Sequence, residues 1–259
     1  KKETYLKNKF FPHIIIDDFL KNSFAEKVNS EIENIFQDSN PYFSYNVKKF
    51  AINDYNKFKL NTLNLINYLN SNNFIKSLEK LTDLQGLISD PSLEGAGIHY
   101  TKRGGYLRIH SDFQSHIINN TWSRKLNLLL YFNKFWKEEY NGSIELWNSE
   151  LNQNISYKPN FNRALIFYTG KKSYHGHPDK LLAPENMFRK SIALYYYVDE
   201  RKPLNLLETN FVPLPGDNLL TKFFIKFDQF LLRVFSFLKR KKIINDKTYT
   251  KLIKNVIKR

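Results

Sequence analysis

The chain has 259 residues, 42% of them hydrophobic and 16% aromatic, which suffices for a sizeable core and excludes wholesale disorder. Because it contains no cysteine, disulfide bonds, thiolate zinc sites, iron–sulfur clusters and cysteine nucleophiles are excluded, and any metal must be held by His, Asp or Glu. The net charge is +15, of which +10 falls in residues 219–259, where twelve Lys and Arg oppose two Asp. The body is only mildly basic, which disfavours nucleic-acid binding by the whole protein.

Residues 1–85 predict a helical support for a larger domain. The β-branched run 14–16 is typical of a short buried strand. Apolar residues recur every four positions over 24–36, and a second helical pattern covers 60–84. The polar and aromatic stretch 38–57 between them predicts a loop with little regular structure.

Residues 86–200 change character, because short apolar runs there alternate with turn residues such as Asn141-Gly142. Regular spacing of this kind predicts an antiparallel β-sandwich or barrel. The six runs are 95–100, 106–110, 125–132, 143–147, 163–168 and 189–198.

The remaining chain predicts a linker over 201–218, which holds three prolines, and a basic helical tail over 219–259. Apolar residues from 220 to 238 recur at helical spacing, and four basic residues follow at 239–242. We expect this helix to pack its Phe and Leu side chains on the N-terminal helices. The alternative is a helix lying in the plane of a membrane, which would leave them exposed.

Nothing in the chain resembles a segment that crosses a membrane. No apolar run approaches the roughly 18 residues that span a bilayer, and none follows the first residues as in a signal peptide. We therefore expect a cytoplasmic protein.

The segment 106–112 carries the most informative pattern. Residues i and i+2 of a strand share a face, so His110 and Asp112 can direct an imidazole nitrogen and a carboxylate oxygen at one point. A second histidine completes a two-His-one-carboxylate triad, which suits Fe(II) because it leaves three coordination positions open. The candidates for that histidine are His175 and His177.

The chain has His110 and Asp112 first, then several strand-like runs, then the distal histidine and finally Arg189. With the motifs in this order, residues 95–198 resemble the catalytic core of the prolyl-hydroxylase-like branch of the Fe(II)/2-oxoglutarate-dependent dioxygenases. The resemblance implies a mainly β, double-stranded β-helix core, the jelly roll of cupin-like proteins, with supporting N-terminal helices over 1–85. The segments that carry it are GYLRIHSDF at 105–113, LNLLLYFN at 126–133, GSIELW at 142–147, YHGHP at 174–178 and RKS at 189–191.

The resemblance also implies roles for individual residues. His110, Asp112 and the distal histidine would hold Fe(II), and the family motif matches His175 better than His177. Arg189 matches the basic residue that binds the far carboxylate of 2-oxoglutarate. Tyr100 matches a tyrosine that the prolyl-hydroxylase branch often has in the cosubstrate pocket.

Strand alternation supports the assignment of Arg189. On the predicted strand 189–198, Ser191 shares the face of Arg189, so a guanidinium and a hydroxyl lie side by side. Arg is the best bidentate partner for a carboxylate. On the strand 125–132, Tyr131 could add a phenol hydrogen bond to the same group.

The function implied is hydroxylation of an unactivated C–H bond with Fe(II), 2-oxoglutarate and O₂, with ascorbate as an auxiliary reductant, releasing succinate and CO₂. The substrate would be a prolyl residue of a peptide or protein, or a small metabolite such as an amino acid or a sugar. Two alternatives stay open. One is a cupin-like metal protein that pairs His175 with His177 and does not use 2-oxoglutarate. The other is a non-catalytic module whose basic tail contacts nucleic acid or a membrane surface.

Overall fold

The computed structural model describes residues 1–205, 207–241 and 243. Four of its five α-helices lie within the first 82 residues, and the fifth follows the last strand. They are α1 (Lys2–Leu6), α2 (Asn22–Asn34), α3 (Leu60–Leu69), α4 (Asn72–Thr82) and α5 (Leu219–Arg240). The expected helix over 24–36 is confirmed as α2. The pattern over 60–84 forms two helices, because the chain turns at Asn70 and Ser71, whose hydroxyl accepts a hydrogen bond from Phe74 N at the start of α4.

Thirteen strands join into one curled sheet within the described part of the chain. All six strands expected over 86–200 are present, and so is the short strand expected over 14–16. The strands are β1 (His13–Ile16), β2 (Asn40–Phe43), β3 (Val47–Ile52), β4 (Leu87–Ser89), β5 (Gly97–Thr101), β6 (Tyr106–Ser111), β7 (Trp122–Tyr131), β8 (Ile144–Trp147), β9 (Asn154–Tyr157), β10 (Arg163–Tyr168), β11 (Tyr174–His177), β12 (Arg189–Asp199) and β13 (Asn210–Phe211).

The sheet order is β1-β10-β7-β12-β5-β3-β6-β11-β8-β9, with β3 bonded to both β5 and β6. The sheet therefore curls through β3 into two layers, as in the expected jelly roll. One layer carries β7 and β12, and the other carries β6 and β11. The prediction of an irregular loop over 38–57 is wrong, because β2 and β3 occupy it and β3 links the layers.

The main core lies between the helices and the β7–β12 pair. Alternate residues of these strands, among them Leu128, Leu130, Ile192 and Leu194, are fully buried against α2, α3 and α4. The other face of the same strands is turned to the inside of the curled sheet. Several side chains of that second face line a cavity, among them Asn127, Arg189 and Ser191.

Helix α5 does not pack as the sequence predicts. Its buried side is formed by Ile225, Asp228 and Gln229, whereas Phe223, Phe227 and Leu231 are each about half exposed or more. The buried side meets the turn between β2 and β3 and the strand β13, not the N-terminal helices. The expected docking of the apolar stripe on those helices is wrong, because polar hydrogen bonds decide which side of the helix is buried.

Those hydrogen bonds centre on Asp228. Its carboxylate accepts from Ser44 Oγ at 2.8 Å and from the backbone N–H groups of Tyr45 at 3.3 Å and Asn46 at 3.1 Å. In return, Asn46 Nδ2 donates to Ile225 O at 3.0 Å. The segment 201–218, predicted as a linker, contributes β13, in which Phe211 pairs with His110 of β6.

Replacing Asp228 with Ala should lower the free energy of unfolding by roughly 1–3 kcal/mol, because it leaves two N–H groups at a buried contact without their acceptor. Urea unfolding monitored by circular dichroism measures this. Glu185→Ala, which removes an exposed ion pair with Arg103, is the matched control and should change stability by less than about 0.5 kcal/mol. Equal losses in the two variants would contradict the anchoring role of Asp228.

Candidate metal centre

His110, Asp112 and His175 meet inside the curled sheet. His110 lies on β6 and pairs across the ladder with His175 of β11, and Asp112 directly follows β6. Their ligand atoms all lie within 4.8 Å of one another. Asp112 Oδ2 is 3.3 Å from His175 Nε2, and Oδ1 is 3.6 Å from His110 Nε2. The structure thus brings together the three residues that the sequence pattern and the resemblance single out.

Backbone carbonyls set the tautomers of both histidines. Nδ1 of His110 lies 2.9 Å from Arg108 O, and Nδ1 of His175 lies 2.9 Å from Ser173 O. A carbonyl oxygen can only accept, so each Nδ1 carries a proton, and each Nε2, which faces Asp112, is the nitrogen that can bind a metal. Burial, reinforced by His175, lowers the pKa of His110 and favours the neutral form that binds metal.

The carboxylate of Asp112 is held by two residues of β7. Asn127 Nδ2 donates to Oδ2 at 2.7 Å, Arg124 Nη2 lies 3.2 Å from the same oxygen, and Arg124 Nε donates to Asn127 Oδ1 at 2.8 Å. Burial alone would raise the pKa of Asp112, but the Arg124 guanidinium and the two histidines hold it well below its usual range. Two imidazoles whose Nε2 atoms face one ionised, oriented carboxylate fit a divalent transition metal such as Fe(II).

A cavity of about 330 Å³ opens beside this cluster, a size typical of small-molecule sites. Arg189 and Ser191 of β12 line it, as strand alternation predicts. Arg189 is 6% exposed; its Nε donates to Gly142 O at 2.6 Å, and its Nη2 lies 3.4 Å from Tyr131 Oη. Tyr131 is fully buried behind the guanidinium, with the ring centroid 5.0 Å from Arg189 Cζ, so its contact is with Arg189.

Gly142 has to be a glycine for this arrangement. Its φ is +77°, and a Cβ atom there would lie 3.2 Å from Arg189 Cδ. The Asn141-Gly142 turn, which the sequence marks only as a separator between strands, therefore also gives Arg189 its place.

Tyr100 does not line the cavity, so its predicted role in the cosubstrate pocket is corrected. Alternation along β5 turns it to the helical side, where it is fully buried and its hydroxyl donates to Ile32 O at 2.6 Å. Its neighbours His99 and Thr101 face the cavity instead.

His177 lines the same cavity but lies outside the metal-binding cluster of the described residues. The pairing of β11 with β6 is irregular between His175 and His177, so the two histidines are not equivalent in register. Burial and the nearby charges of Arg189 and Lys49 hold the pKa of His177 well below its ordinary value. It is a neutral imidazole beside the cluster.

Sequence reasoning missed three polar residues of the site, Lys49, Arg124 and Asn127. Lys49 belongs to β3, in the stretch predicted as a loop. Arg124 and Asn127 are three apart, a spacing that puts them on opposite faces of a regular strand. The β7–β12 register shifts between Tyr196 and Tyr197, and this irregularity lets both side chains reach Asp112.

Comparisons with known proteins agree with this geometry. Residues 96–197 match the family model of the 2OG-Fe(II) oxygenase superfamily. No curated protein matches the chain.

Three solved structures share the fold. A prolyl hydroxylase from Trichoplax adhaerens, in complex with a hypoxia inducible factor oxygen degradation domain peptide fragment, has a TM-score of 0.54 at 21% identity, covering 77% of this chain and 88% of that one. A Pseudomonas putida prolyl-4-hydroxylase has a TM-score of 0.53 at 14% identity, covering 78% of this chain and 97% of that one. HygX from Streptomyces hygroscopicus, with nickel and 2-oxoglutarate bound, has a TM-score of 0.53 at 11% identity, covering 82% of this chain and 97% of that one.

The matched residues contain the whole His-Asp-His cluster together with Arg189. Over this segment, the chain is similar to the 2OG-Fe(II) oxygenase superfamily. It is a dioxygenase that uses iron and 2-oxoglutarate, and the resemblance stated from the sequence is confirmed.

Asp112→Ala should weaken binding of a divalent metal by more than about 100-fold, because it removes the anionic ligand of the cluster and leaves Arg124 unpaired. Anaerobic calorimetric titration with Fe(II) or Mn(II) measures this loss. His177→Gln is the matched control, since it changes a histidine of the same cavity and should leave the affinity within a few-fold. The reverse ranking, with His177→Gln more damaging than His175→Gln, would assign the third ligand to His177.

Proposed function

We propose that the protein hydroxylates an unactivated C–H bond of an organic substrate and releases succinate and CO₂. The observation that carries this proposal is the presence of the His110–Asp112–His175 cluster and buried Arg189 in one cavity. With iron bound, oxidative decarboxylation of 2-oxoglutarate would supply two electrons for the activation of O₂, so that one oxygen atom enters succinate and the other enters the C–H bond. The carboxylate of Asp112 completes the two-His-one-carboxylate set that the resemblance implies for a hydroxylase.

Arg189 is the residue we assign to 2-oxoglutarate. It has no carboxylate within 4 Å among the described residues, although its neighbours Gly142 and Tyr131 orient it. Leaving a buried guanidinium without an anion is costly, and a ligand carboxylate would remove that cost. Ser191 lies on the same face and can donate its hydroxyl to the same ligand.

For the substrate, we propose a prolyl residue of a peptide or protein. The support is the likeness to the Trichoplax adhaerens prolyl hydroxylase, whose structure contains a peptide fragment.

A small molecule that carries a carboxylate or a phosphate is the second candidate, and Lys49 favours it. Lys49 lines the cavity and has no ion-pair partner among the described residues. Arg189 pairs with Thr101 across β12 and β5, and continuing the β5–β3 register by one residue places Lys49 opposite Thr101. The two cations thus lie in one row across three strands. Burial lowers the pKa of Lys49 to about 8, which still leaves a charged ammonium at neutral pH.

Charge balance strengthens this second candidate. Arg124 neutralises Asp112, and one carboxylate of 2-oxoglutarate would neutralise Arg189. The other carboxylate would offset only part of the charge of a divalent metal. Glu208 of the cavity wall pairs with Arg233, and Glu94 lines the same cavity as Lys49. Lys49 has no ion pair within 4 Å among the described residues, and an anionic group on the substrate would compensate its charge.

Arg189→Gln should weaken 2-oxoglutarate binding to metal-loaded protein by about 100-fold, because it removes a charged bidentate partner. Calorimetric titration of the Mn(II)-loaded protein checks this, and metal affinity should not change. His99→Gln, which changes another residue of the cavity wall, is the control. Unchanged 2-oxoglutarate binding in Arg189→Gln would favour the cupin-like alternative.

Lys49→Met should leave 2-oxoglutarate affinity within a few-fold and reduce turnover of an anionic small molecule by about 10- to 100-fold. The assay supplies peptide and metabolite libraries to the wild type and detects the gain of one oxygen by mass spectrometry, with succinate formation as the internal check. Full turnover of an acidic substrate by Lys49→Met would contradict the anionic-substrate candidate.

A further inference from the structure

The outer face of α5 consists of eight apolar residues that are 42–85% exposed. At about 100° per residue, all eight fall within an arc of roughly 120°. The arc runs the whole length of the helix, for about six turns. It contains Leu219, Leu220, Phe223, Phe227, Phe230, Leu231, Val234 and Phe237.

Packing on the opposite side holds this face outward. Asp228 and Gln229 are buried, and Asp228 accepts three hydrogen bonds from residues 44–46. Turning the apolar residues inward would carry Asp228 into solvent and break those bonds. The exposure is therefore a property of the folded chain and of how α5 is anchored.

The charges that α5 itself carries beside the outer face have one sign, and two of them also contact the protein: Arg233 pairs with Glu208, and Lys226 donates to Phe211 O. Lys222, Lys226 and Arg233 lie along one flank of the face, and four further basic residues follow at 239–242. The only acidic residue between 219 and 243 is Asp228, on the buried side. A fitting partner therefore offers an apolar interior together with a negatively charged surface.

We propose that α5 lies in the plane of an anionic lipid bilayer, with the outer face in the acyl chains and the flanking cations at the headgroups. None of the described helices is long and apolar enough to span a bilayer, which fits an in-plane orientation. A second copy of the chain fits worse, because facing helices would bring two basic flanks together. Duplex DNA would match the cations but leave the eight apolar residues in water.

The inner side of α5 lines the catalytic cavity through Leu232 and Ser236. Docking of the outer face therefore holds the cavity close to the lipid surface.

Vesicle sedimentation of the full chain tests the proposal. Vesicles of phosphatidylcholine with phosphatidylglycerol should carry the protein into the pellet, whereas phosphatidylcholine alone should retain little. The triple variant Phe223→Ser, Phe227→Ser and Phe230→Ser should reduce binding by about tenfold for each phenylalanine. The matched control replaces three exposed apolar residues elsewhere, Ile118→Ser, Phe135→Ser and Leu182→Ser, and should bind like the wild type.

A charge variant separates the electrostatic contribution. Lys222→Gln with Lys241→Gln should reduce binding to the anionic vesicles by about fivefold per lysine, and the loss should disappear at high salt. Near-ultraviolet circular dichroism verifies that each variant is folded.

Three results would overturn the proposal. The first is a wild type that stays in the supernatant with anionic vesicles. The second is a triple phenylalanine variant that binds as well as the control, which would mean that residues beyond 243 cover the outer face or that the basic tail alone binds. The third is a dimer seen by light scattering that the phenylalanine variant dissociates, without any vesicle binding, which would assign the face to a second copy.

Discussion

A buried carboxylate is the constraint around which the site is built. Asp112 has to be ionised to bind a metal, yet it is buried on the wall of the cavity, where a lone charge is costly. Arg124 meets this cost, and its guanidinium in turn lies 3.3 Å from the ring centroid of Tyr195 and 4.5 Å from that of Phe113. The two rings stabilise the buried guanidinium through cation–π contacts, and the guanidinium stabilises the ionised form of the carboxylate.

The β7–β12 pair connects this site to the rest of the fold. One face of the pair is mostly leucine and isoleucine, and the N-terminal helices cover it. The other face carries Asn127, Arg189 and Ser191 into the cavity. Because successive side chains of a strand alternate, the same backbone ladder that builds the core also positions the polar groups, so a register error would damage both.

Helix α5 follows a different rule. An amphipathic helix usually buries its apolar side, but here one buried aspartate with three donors decides the orientation, and the apolar side faces outward. Directional hydrogen bonds to the β2–β3 turn thus fix the orientation of the helix, and its apolar face is exposed in the isolated chain.

The sequence by itself determined the features that depend on neighbours along the chain. Strand runs, turns and the same-face pair His110 and Asp112 follow from local periodicity, and His175 follows from the order of the motifs. Only the tertiary structure decided the features that depend on distant segments. The bulge opposite Tyr196 and Tyr197 brings Arg124 to Asp112, β3 brings Lys49 into the cavity, and α5 turns its apolar face outward. These features depend on the β7–β12 pairing, on the β3–β5 pairing and on the contact of α5 with the β2–β3 turn. Each joins segments that are far apart along the chain, and local periodicity does not determine the register or the face at which such segments meet.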